Sequence, residues 1–315
     1  MTPQFYHPHA PCDKICHYER SLRHRYARKD VSGHWCQRWY RLRRRPRAGS
    51  YGGPRHLGGR NAAKTHAAVV RITDETKNND VNYLLADLSS QREVRRLAAQ
   101  VNEQLPRLDV LLNNAGAIFL SGPSSVDGLE MTFALNHMGY FLLTSLLLDL
   151  VRDSVPARII NVSSSSHGSP GKFQLEDLPR PGINRGYRAY GRSKLCNILF
   201  TYELARRLEG TGVTVNALHP GLVRTNIARN NGMVGRVVNF FIGARGIGAD
   251  KGADTLVYLA SSQEVEGVTG KYYVDRRSAV FRVELRHRAL RRPVGLEPAA
   301  DDVEEGTRVG GAAYP

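Results

Sequence analysis

Short apolar runs alternate with longer amphipathic stretches between about residue 65 and residue 275, which predicts strands and helices in turn. We predict strands at 83–86, 110–113, 158–162, 213–218 and 271–274, and helices at 90–101, 128–151, 190–209 and 251–260. The strands show little apolar–polar alternation, as expected for a sheet that is buried on both faces. The pattern therefore favours an α/β fold in a single domain, built on a doubly wound parallel sheet of the Rossmann-like type.

Polar or glycine-containing stretches directly follow four of the predicted strands. They are Asp87, Asn113–Gly116, Ser163–Ser164 and His219–Gly221. The carboxyl ends of parallel strands meet at one edge of a sheet, and ligands bind in the crevice at that edge. We therefore predict that these residues gather at a single site.

Tyr190 and Lys194 stand four residues apart in the predicted helix 190–209 and so share one face of it. A lysine ammonium beside a tyrosine favours the phenolate and allows the hydroxyl to exchange a proton near neutral pH. The pair thus predicts acid/base chemistry on a carbonyl or alcohol. A tyrosine packed on a helix beside a solvated lysine is the alternative interpretation of this spacing alone.

Several stretches together resemble the short-chain dehydrogenase/reductase family, and within it the retinol-dehydrogenase-like branch. They are Leu85–Ser89, Phe133–His137, Asn161–Ser164 and Leu218–Gly221, in addition to the tyrosine–lysine pair. The resemblance covers about residues 59–275. It implies an oxidoreductase that transfers a hydride between a nicotinamide cofactor and an alcohol or carbonyl.

The resemblance implies a catalytic role for four residues. Tyr190 is the acid/base, and Lys194 lowers the pKa of that tyrosine and holds the nicotinamide ribose. Ser164 hydrogen-bonds the substrate oxygen, and Asn136 on the long helix holds a water that links Lys194 to solvent. Strand-end capping by serine and a buried amide satisfied by backbone are the alternatives for Ser164 and Asn136.

The resemblance also implies a cofactor-binding set at the same edge. In addition to Tyr190 and Lys194, this set comprises Arg60, Asp87, Leu88, Asn114, Ala115, Gly116, Pro220, Gly221 and Thr225. Asp87 would meet the adenine amino group, and Pro220, Gly221 and Thr225 would flank the nicotinamide. A basic residue at position 60 favours the 2′-phosphate of NADP, so NAD is the less favoured cofactor. An ordinary surface arginine is the alternative there.

The stretch 226–248 is predicted to be a loop that covers the substrate. Its apolar residues, which suit a lipophilic alcohol or carbonyl compound, are Val237, Val238, Phe240, Phe241 and Ile242. We interpret Gly243–Gly248 as a flexible hinge or turn of this lid. The sequence does not identify the substrate further.

The excess positive charge is concentrated at the N-terminus. The net charge is +16, and residues 1–64 hold 15 Lys and Arg against 3 Asp and Glu. A nucleic-acid-binding arm is one interpretation, and it leads to the alternative of a non-enzymatic basic binding protein on a dehydrogenase-like scaffold. The spacing of Cys12, Cys16, His17 and Cys36 matches no zinc pattern, so no metal is predicted.

Residues 1–58 lack a motif that the family carries, a strand followed by Thr-Gly-x3-Gly-Ile-Gly and a helix, which binds the cofactor pyrophosphate. Shifting the reading frame of Gly33–Arg41 by one base allows Thr-Gly-Ala-Asn-x-Gly-Ile-Gly. Our hypothesis is that residues before about 58 are translated out of frame. The tail after about residue 277 is a second and weaker candidate for out-of-frame translation.

Three segments follow from this hypothesis. They are an irregular basic segment 1–58, a catalytic domain 59–275 and an irregular tail 276–315. With the first strand–helix unit missing or disordered, the sheet should carry an unpaired apolar edge or gap. Cofactor affinity and activity should then be low.

The expected compartment is the cytoplasm. No run of 18 apolar residues is present, the N-terminus lacks the apolar core of a signal peptide, and the four cysteines suggest no disulfide framework. We therefore expect no membrane span, and nucleic acid is not a favoured partner. The resemblance allows a homodimer formed through the long helices.

Overall fold

One twisted sheet organises the chain, and the computed structural model describes residues 37–40, 55–168, 178, 180–182, 186–224 and 227–279. Its strands are β1 Gln37–Tyr40, β2 Arg55–Gly59, β3 Val81–Leu85, β4 Val110–Asn113, β5 Ala157–Val162, β6 Val213–His219, β7 Lys271–Val274 and β8 Arg277–Ala279. The strand order is β3-β2-β1-β4-β5-β6-β7-β8. All described residues fall within one compact unit, as the single-domain prediction requires.

The pairing is parallel between β2 and β3 and along β4, β5, β6 and β7. Strand β1 lies between β2 and β4 and is antiparallel to both, and β8 is antiparallel to β7. The predicted α/β fold with a largely parallel sheet is confirmed. The expected gap in the sheet is wrong, because the backbone of β1 pairs with both neighbours.

The direction of β1 matters for the site. Gln37 lies opposite Gly58 near the carboxyl end of β2, whereas Tyr40 lies opposite Arg55 at its amino end. Chain leaving β1 after Tyr40 therefore starts from the edge opposite the ligand-binding edge. In a parallel first strand, the connection to the next helix would start at the ligand-binding edge instead.

The helices flank the sheet. They are α1 Ala62–Thr76, α2 Gln91–Gln104, α3 Met131–Phe133, α4 Gly139–Leu146, α5 Leu148–Asp153, α6 Gly186–Arg207, α7 Gly232–Arg245 and α8 Ala249–Ser261. The side chains of Asn61 and Ser90 accept hydrogen bonds from backbone N–H groups in the first turns of α1 and α2 and so cap them. The predicted helices at 90–101, 190–209 and 251–260 correspond to α2, α6 and α8, and α1 was not predicted.

The predicted single helix 128–151 is wrong, because the structure divides this stretch. A π-helical turn at Ala134–Met138 separates α3 from α4, and Leu147 interrupts the path into α5. Asn136 lies in the π turn. Turns of this kind insert an extra residue and are frequent at functional sites.

The stretch 226–248 was predicted as a loop, and this prediction is also wrong. Arg229–Asn231 forms a 3-10 turn and Gly232–Arg245 forms helix α7. The predicted hinge begins inside the last turn of α7, and Ile247 then forms a parallel bridge with Val223.

Two apolar layers sandwich the sheet. Leu111 and Ile159 pack with helices α2, α4 and α5 on one face, while Leu112 and Ile160 pack with α8 on the other. Neighbouring strand residues point to opposite faces, so both layers draw on the same strands. The proposed domain boundaries stay predictions, although β2 begins and β8 ends outside the segment 59–275.

The described residues contain neither a candidate membrane-spanning helix nor a candidate metal site. No helix in this part of the chain combines the length and apolar character that crossing a bilayer requires. No group of three or more His, Cys, Asp or Glu side chains there is arranged to hold a metal ion. The four residues weighed above as metal ligands lie outside the described residues.

Candidate active site

Helix α6 carries Tyr190 and Lys194 beneath the carboxyl ends of β4 and β5. Both side chains are buried, and the Lys194 Nζ lies 5.8 Å from the centroid of the Tyr190 ring. The Lys194 ammonium donates a hydrogen bond to the carbonyl oxygen of Val162, at a distance of 3.0 Å. Lys194 is therefore buried, whereas the alternative interpretation of the spacing has a solvated lysine.

Burial dominates the protonation of both groups. It lowers the pKa of Lys194 to about 7, and it raises the pKa of Tyr190 to about 12. A hydrogen bond with Ser164 opposes the rise at Tyr190. The direction for Tyr190 is opposite to the one that the resemblance implies, because desolvation of the phenolate outweighs the neighbouring hydrogen bond.

Ser164 is held in the turn that follows β5. Its hydroxyl donates to the Ser166 Oγ, 3.2 Å away, and its Oγ also accepts from the backbone N–H of Ser166. The His167 Nδ1 contacts the Ser164 carbonyl oxygen, 2.5 Å away. Ser164 therefore lies in a short turn whose geometry His167 helps to fix, close to Tyr190 on α6.

Asn136 joins two parts of the site. Its Oδ1 accepts from the Ala117 backbone N–H and its Nδ2 donates to the Ala117 carbonyl oxygen, at 2.9 and 3.0 Å. The Nδ2 also donates to Ser193 Oγ, 3.2 Å away on α6. The backbone therefore satisfies most of the hydrogen-bonding capacity of this amide, which agrees with the alternative of a buried structural amide. The same hydrogen bonds connect the π turn to the loop after β4.

A buried chain of polar side chains supports these strand ends. Asn113 donates to Asn161 across β4 and β5, and Asn161 donates to Thr201 on α6, at 2.8 and 2.9 Å. All three side chains are fully buried. Since a buried amide without partners is costly, this network holds β4 and β5 in a fixed position against helix α6.

Tyr140 on α4 was not predicted as a site residue. Its hydroxyl donates to the Ala115 carbonyl oxygen, 2.7 Å away, and its ring centroid lies 5.4 Å from Lys194 Nζ. Burial raises the pKa of this tyrosine well above its usual value. The sequence presented it inside an apolar run, and only the fold reveals that its ring lies near the lysine.

The residues predicted for the adenosine end lie after β2 and β3. The Arg60 guanidinium lies 3.2 Å from Asp87 Oδ2, and both side chains are partly exposed. Asp87 Oδ1 accepts two hydrogen bonds from Ser89, through its N–H and its hydroxyl. Despite the opposing effect of burial, these bonds and Arg60 hold the pKa of Asp87 below its usual value, so the carboxyl is ionised.

Leu88 does not share this exposure. Its side chain is buried in the core, and its carbonyl oxygen would lie 2.6 Å from a Cβ at Gly139. Only glycine allows α4 to approach the strand end so closely. Leu88 therefore supports the packing beneath the site, while its neighbour Asp87 faces the edge.

The loop after β4 and the turn after β6 complete the predicted set. Asn114 is exposed, Ala115 is buried, and Gly116 is partly exposed. Pro220 and Gly221 follow β6, where Gly221 adopts a φ of 80° and donates its N–H to His219 Nδ1. Thr225 lies outside the described residues.

These residues fit the two ends of a dinucleotide, and the described part of the chain contains no pyrophosphate-binding turn between them. Gly116 lies at the lysine end, where a Cβ on it would be 3.4 Å from Lys194 Nζ. Arg60 offers a cation at the other end. Between them, β1 ends at the opposite edge of the sheet, so the chain that follows Tyr40 does not start at the ligand-binding edge.

The pKa of Lys194 predicts a pH-dependent stability. An unfolded lysine keeps its proton up to about pH 10.5, whereas the folded one loses it near pH 7. The unfolded state therefore binds more protons between these values, and the free energy of unfolding should rise with pH by a few kcal/mol. Lys194→Met should remove this rise, as measured by urea unfolding between pH 7 and about pH 10. Equal slopes for both proteins would contradict it.

Comparison with known proteins agrees with this geometry. A sequence profile of the short chain dehydrogenase family matches residues 52–233. The chain is 49% identical to human (Homo sapiens) retinol dehydrogenase 14 over 193 residues, which are 60% of the chain and 57% of the relative. It is 41% identical to human retinol dehydrogenase 13 over 232 residues, 70% of the chain and 69% of the relative.

A solved structure extends the likeness to three dimensions. The crystal structure of an uncharacterized protein from Mycobacterium Paratuberculosis matches with a TM-score of 0.50 and 32% identity, over 69% of each chain. The chain spans less than two thirds of the length of retinol dehydrogenase 14. The matched profile covers more than half of the chain and includes Asn136, Ser164, Tyr190 and Lys194. The chain therefore belongs to the short-chain dehydrogenase family, in its retinol-dehydrogenase-like branch.

Proposed function

We propose that the protein is an NADP(H)-dependent oxidoreductase that interconverts a lipophilic alcohol and its aldehyde or ketone. The observation that carries the proposal is the buried pair on α6, in which Lys194 Nζ lies 5.8 Å from the centroid of the Tyr190 ring, with Ser164 close enough to lower the pKa of Tyr190. The hydroxyl groups of Tyr190 and Ser164 can both hydrogen-bond the same substrate oxygen. Family membership supports an oxidoreductase, and the finer assignments below are our own.

Ser164 and Tyr190 have different roles at the substrate oxygen. When a nicotinamide is bound, it supplies or accepts the hydride. In the reducing direction the Tyr190 hydroxyl gives its proton to the developing alkoxide, while the Ser164 hydroxyl donates a hydrogen bond to the same oxygen. In the oxidising direction the Tyr190 phenolate takes that proton back.

Lys194 and Asn136 help to reprotonate Tyr190 after each reduction. A pKa of about 7 lets the Lys194 amine gain and lose a proton near neutrality, and its protonated form stabilises the phenolate. A Cβ at Gly116 would lie 3.4 Å from Lys194 Nζ and 3.5 Å from Asn136 Oδ1, so these atoms are within about 7 Å of each other. One or two waters can bridge atoms within this limit, which supports the proposed role of Asn136.

The cofactor preference is proposed from Arg60. Its partly exposed guanidinium follows β2 beside Asp87, and a cation there suits the 2′-phosphate of NADP. Asp87 and Asn114 to Gly116 would line the adenosine and the central part of the crevice. Pro220 and Gly221 would flank the nicotinamide, and for Thr225 this role stays a prediction.

Reversing the charge at Arg60 should change the cofactor preference. Because a charge-assisted hydrogen bond contributes about 1.5–3 kcal/mol, Arg60→Glu should lower the ratio of kcat/KM for NADPH over NADH by at least about tenfold. Arg95→Glu makes the same charge change on the exposed face of α2 and should leave the ratio unchanged. A similar ratio in both variants would count against Arg60 as the NADP determinant.

The substrate class is proposed from the relatives. Two similar proteins carry the name retinol dehydrogenase, and retinol is a lipophilic alcohol. Leu222, an exposed apolar residue of the turn after β6, is consistent with a lipophilic ligand. We therefore expect a long apolar alcohol or aldehyde to be preferred over a short polar one.

The direct test is turnover by the purified chain. NADPH absorbance would be followed with retinaldehyde in detergent micelles, and with a short polar aldehyde as the comparison. We expect slow but measurable oxidation of NADPH that depends on the apolar aldehyde. Absence of any aldehyde-dependent oxidation at saturating NADPH would contradict the function.

The cytoplasmic location and the homodimer stay predictions. The comparisons do not support the alternative of a non-enzymatic basic binding protein. That alternative depends on residues 1–58, of which only 37–40 and 55–58 are described. Salt-dependent DNA binding that is lost on removing this segment would favour it.

A further inference from the structure

Helix α7 is attached to the rest of the protein by one face. The Cβ of any side chain at position 235 would lie 2.0 Å from the Ala228 carbonyl oxygen, so Gly235 lets the helix pack directly on this turn. Asn239, one turn later, accepts a hydrogen bond from the Ala228 N–H at 3.2 Å. Asn231 in turn bonds the backbone of Ile118 and Leu120. The attached face is therefore defined by Gly235 and Asn239.

The opposite face of α7 is apolar and exposed. Met233, Val237 and Phe240 follow one another at helical spacing, so they form one stripe. Met233 is 78% exposed and Phe240 is 73% exposed, and Val237 and Val234 are exposed by more than half. Large apolar side chains clustered in this way on a surface mark an interaction site.

The stretch of sequence that contains α7 carries charge of one sign. Between Glu209 and Asp250 the chain contains four arginines, Arg224, Arg229, Arg236 and Arg245, and no acidic residue. The exposed Arg236 is one turn from Met233 and from Phe240, at the border of the stripe. An exposed apolar stripe bordered by arginine, without acidic residues, is typical of helices that lie in the interface of an anionic bilayer.

We infer that α7 lays its Met233–Val237–Phe240 stripe into the surface of an anionic lipid bilayer, with Arg236 at the lipid phosphates. The helix lies in the plane of the surface and does not cross it, since 14 residues are too short to span a bilayer. A second copy of the chain would cover the apolar stripe but would bring the Arg236 side chains of two copies together. The positive charge at the border of the stripe therefore favours lipid as the partner. This inference does not depend on catalysis.

The test is sedimentation of the full chain with phosphatidylcholine vesicles, with and without phosphatidylserine. The basic segment at the N-terminus also attracts anionic vesicles, so the variants must leave the net charge unchanged. Met233→Gln with Phe240→Gln meets this condition and replaces only exposed side chains. We expect this variant to partition onto the phosphatidylserine vesicles at least about tenfold less than the native chain.

The matched control is Val126→Gln, which replaces an 82% exposed valine in a turn that precedes α3. It should bind vesicles as the native chain does. Arg236→Gln should reduce the difference between vesicles with and without phosphatidylserine, and circular dichroism should give the same unfolding midpoint for all variants. Should one fail to fold, Met233→Gln alone still removes the most exposed residue of the stripe.

Three results would overturn the inference. The native chain could fail to bind the anionic vesicles, or the paired glutamine variant could bind as well as the native chain. The third result is a change of oligomeric state in that variant, measured by light scattering, with vesicle binding retained. That outcome would identify the stripe as a contact between copies of the chain.

Discussion

Replacing Tyr190 with phenylalanine is expected to lower turnover of the apolar aldehyde by about 10²–10⁴-fold, the usual contribution of a positioned acid/base. The variant keeps the buried ring and removes only the hydroxyl that meets Ser164. Because the loss falls on proton transfer, kcat should fall while the affinity for NADPH changes little. Single-turnover reduction at saturating NADPH, with the affinity measured separately by titration, checks both parts.

The control for this experiment lies on the same helix. Tyr202→Phe removes a hydroxyl three turns further along α6, from a tyrosine that lies outside the site. It should retain native turnover. If Tyr190→Phe kept more than about a tenth of the native rate, the acid/base assignment would fail even though the fold and the family remain.

The strand-end rule accounts for the positions of most candidate site residues in the fold. Asp87, Asn113 and Ser163 each follow or end a parallel strand, and the fold gathers these strand ends along one edge. The rule works because it depends only on strand direction, which the alternation of strands and helices already determines. The rule gives Asn161 no role, because its amide lies inside a strand, where it joins the buried network with Thr201.

Other features depend on contacts that no local pattern reveals. The π turn around Asn136 coincides with hydrogen bonds to Ala117, 19 residues away. Leu88 stands next to Asp87, but its side chain is buried in the core and Gly139 approaches its carbonyl oxygen. The sequence predicts a loop where α7 forms, whereas Gly235 allows this helix to pack closely on Ala228.

The direction of β1 is the largest departure from the sequence-based expectation. Four residues with no apolar periodicity occupy the centre of the sheet, where pairing with β2 and β4 satisfies their backbone groups. Position in the sheet is thus set by the unpaired edges of the neighbouring strands. In the described residues, the candidate catalytic end of the crevice is assembled, whereas β1 ends away from the edge at which a phosphate-binding turn would begin.

Rewriting residues 33–58 in the shifted frame should therefore raise the affinity for NADPH. The rewritten segment can carry Thr-Gly-x3-Gly-Ile-Gly, whose backbone N–H groups and following helix would meet the pyrophosphate. Two charge-assisted hydrogen bonds of about 1.5–3 kcal/mol each correspond to a Kd at least about 100-fold lower. Fluorescence titration of NADPH against both chains measures the difference.

The same change should reverse β1. A strand that ends at the ligand-binding edge must run parallel to β2 and β4, so the antiparallel register of Arg38 with Leu112 would be lost. A chain with the rewritten residues in shuffled order controls for composition and charge, and it should bind NADPH no better than the native chain. Equal affinity of the native and rewritten chains would contradict both the frame hypothesis and the view that the reversed strand limits cofactor binding. A gain in the rewritten chain alone would locate the defect in the phosphate-binding turn, because Tyr190, Lys194 and Ser164 are unchanged.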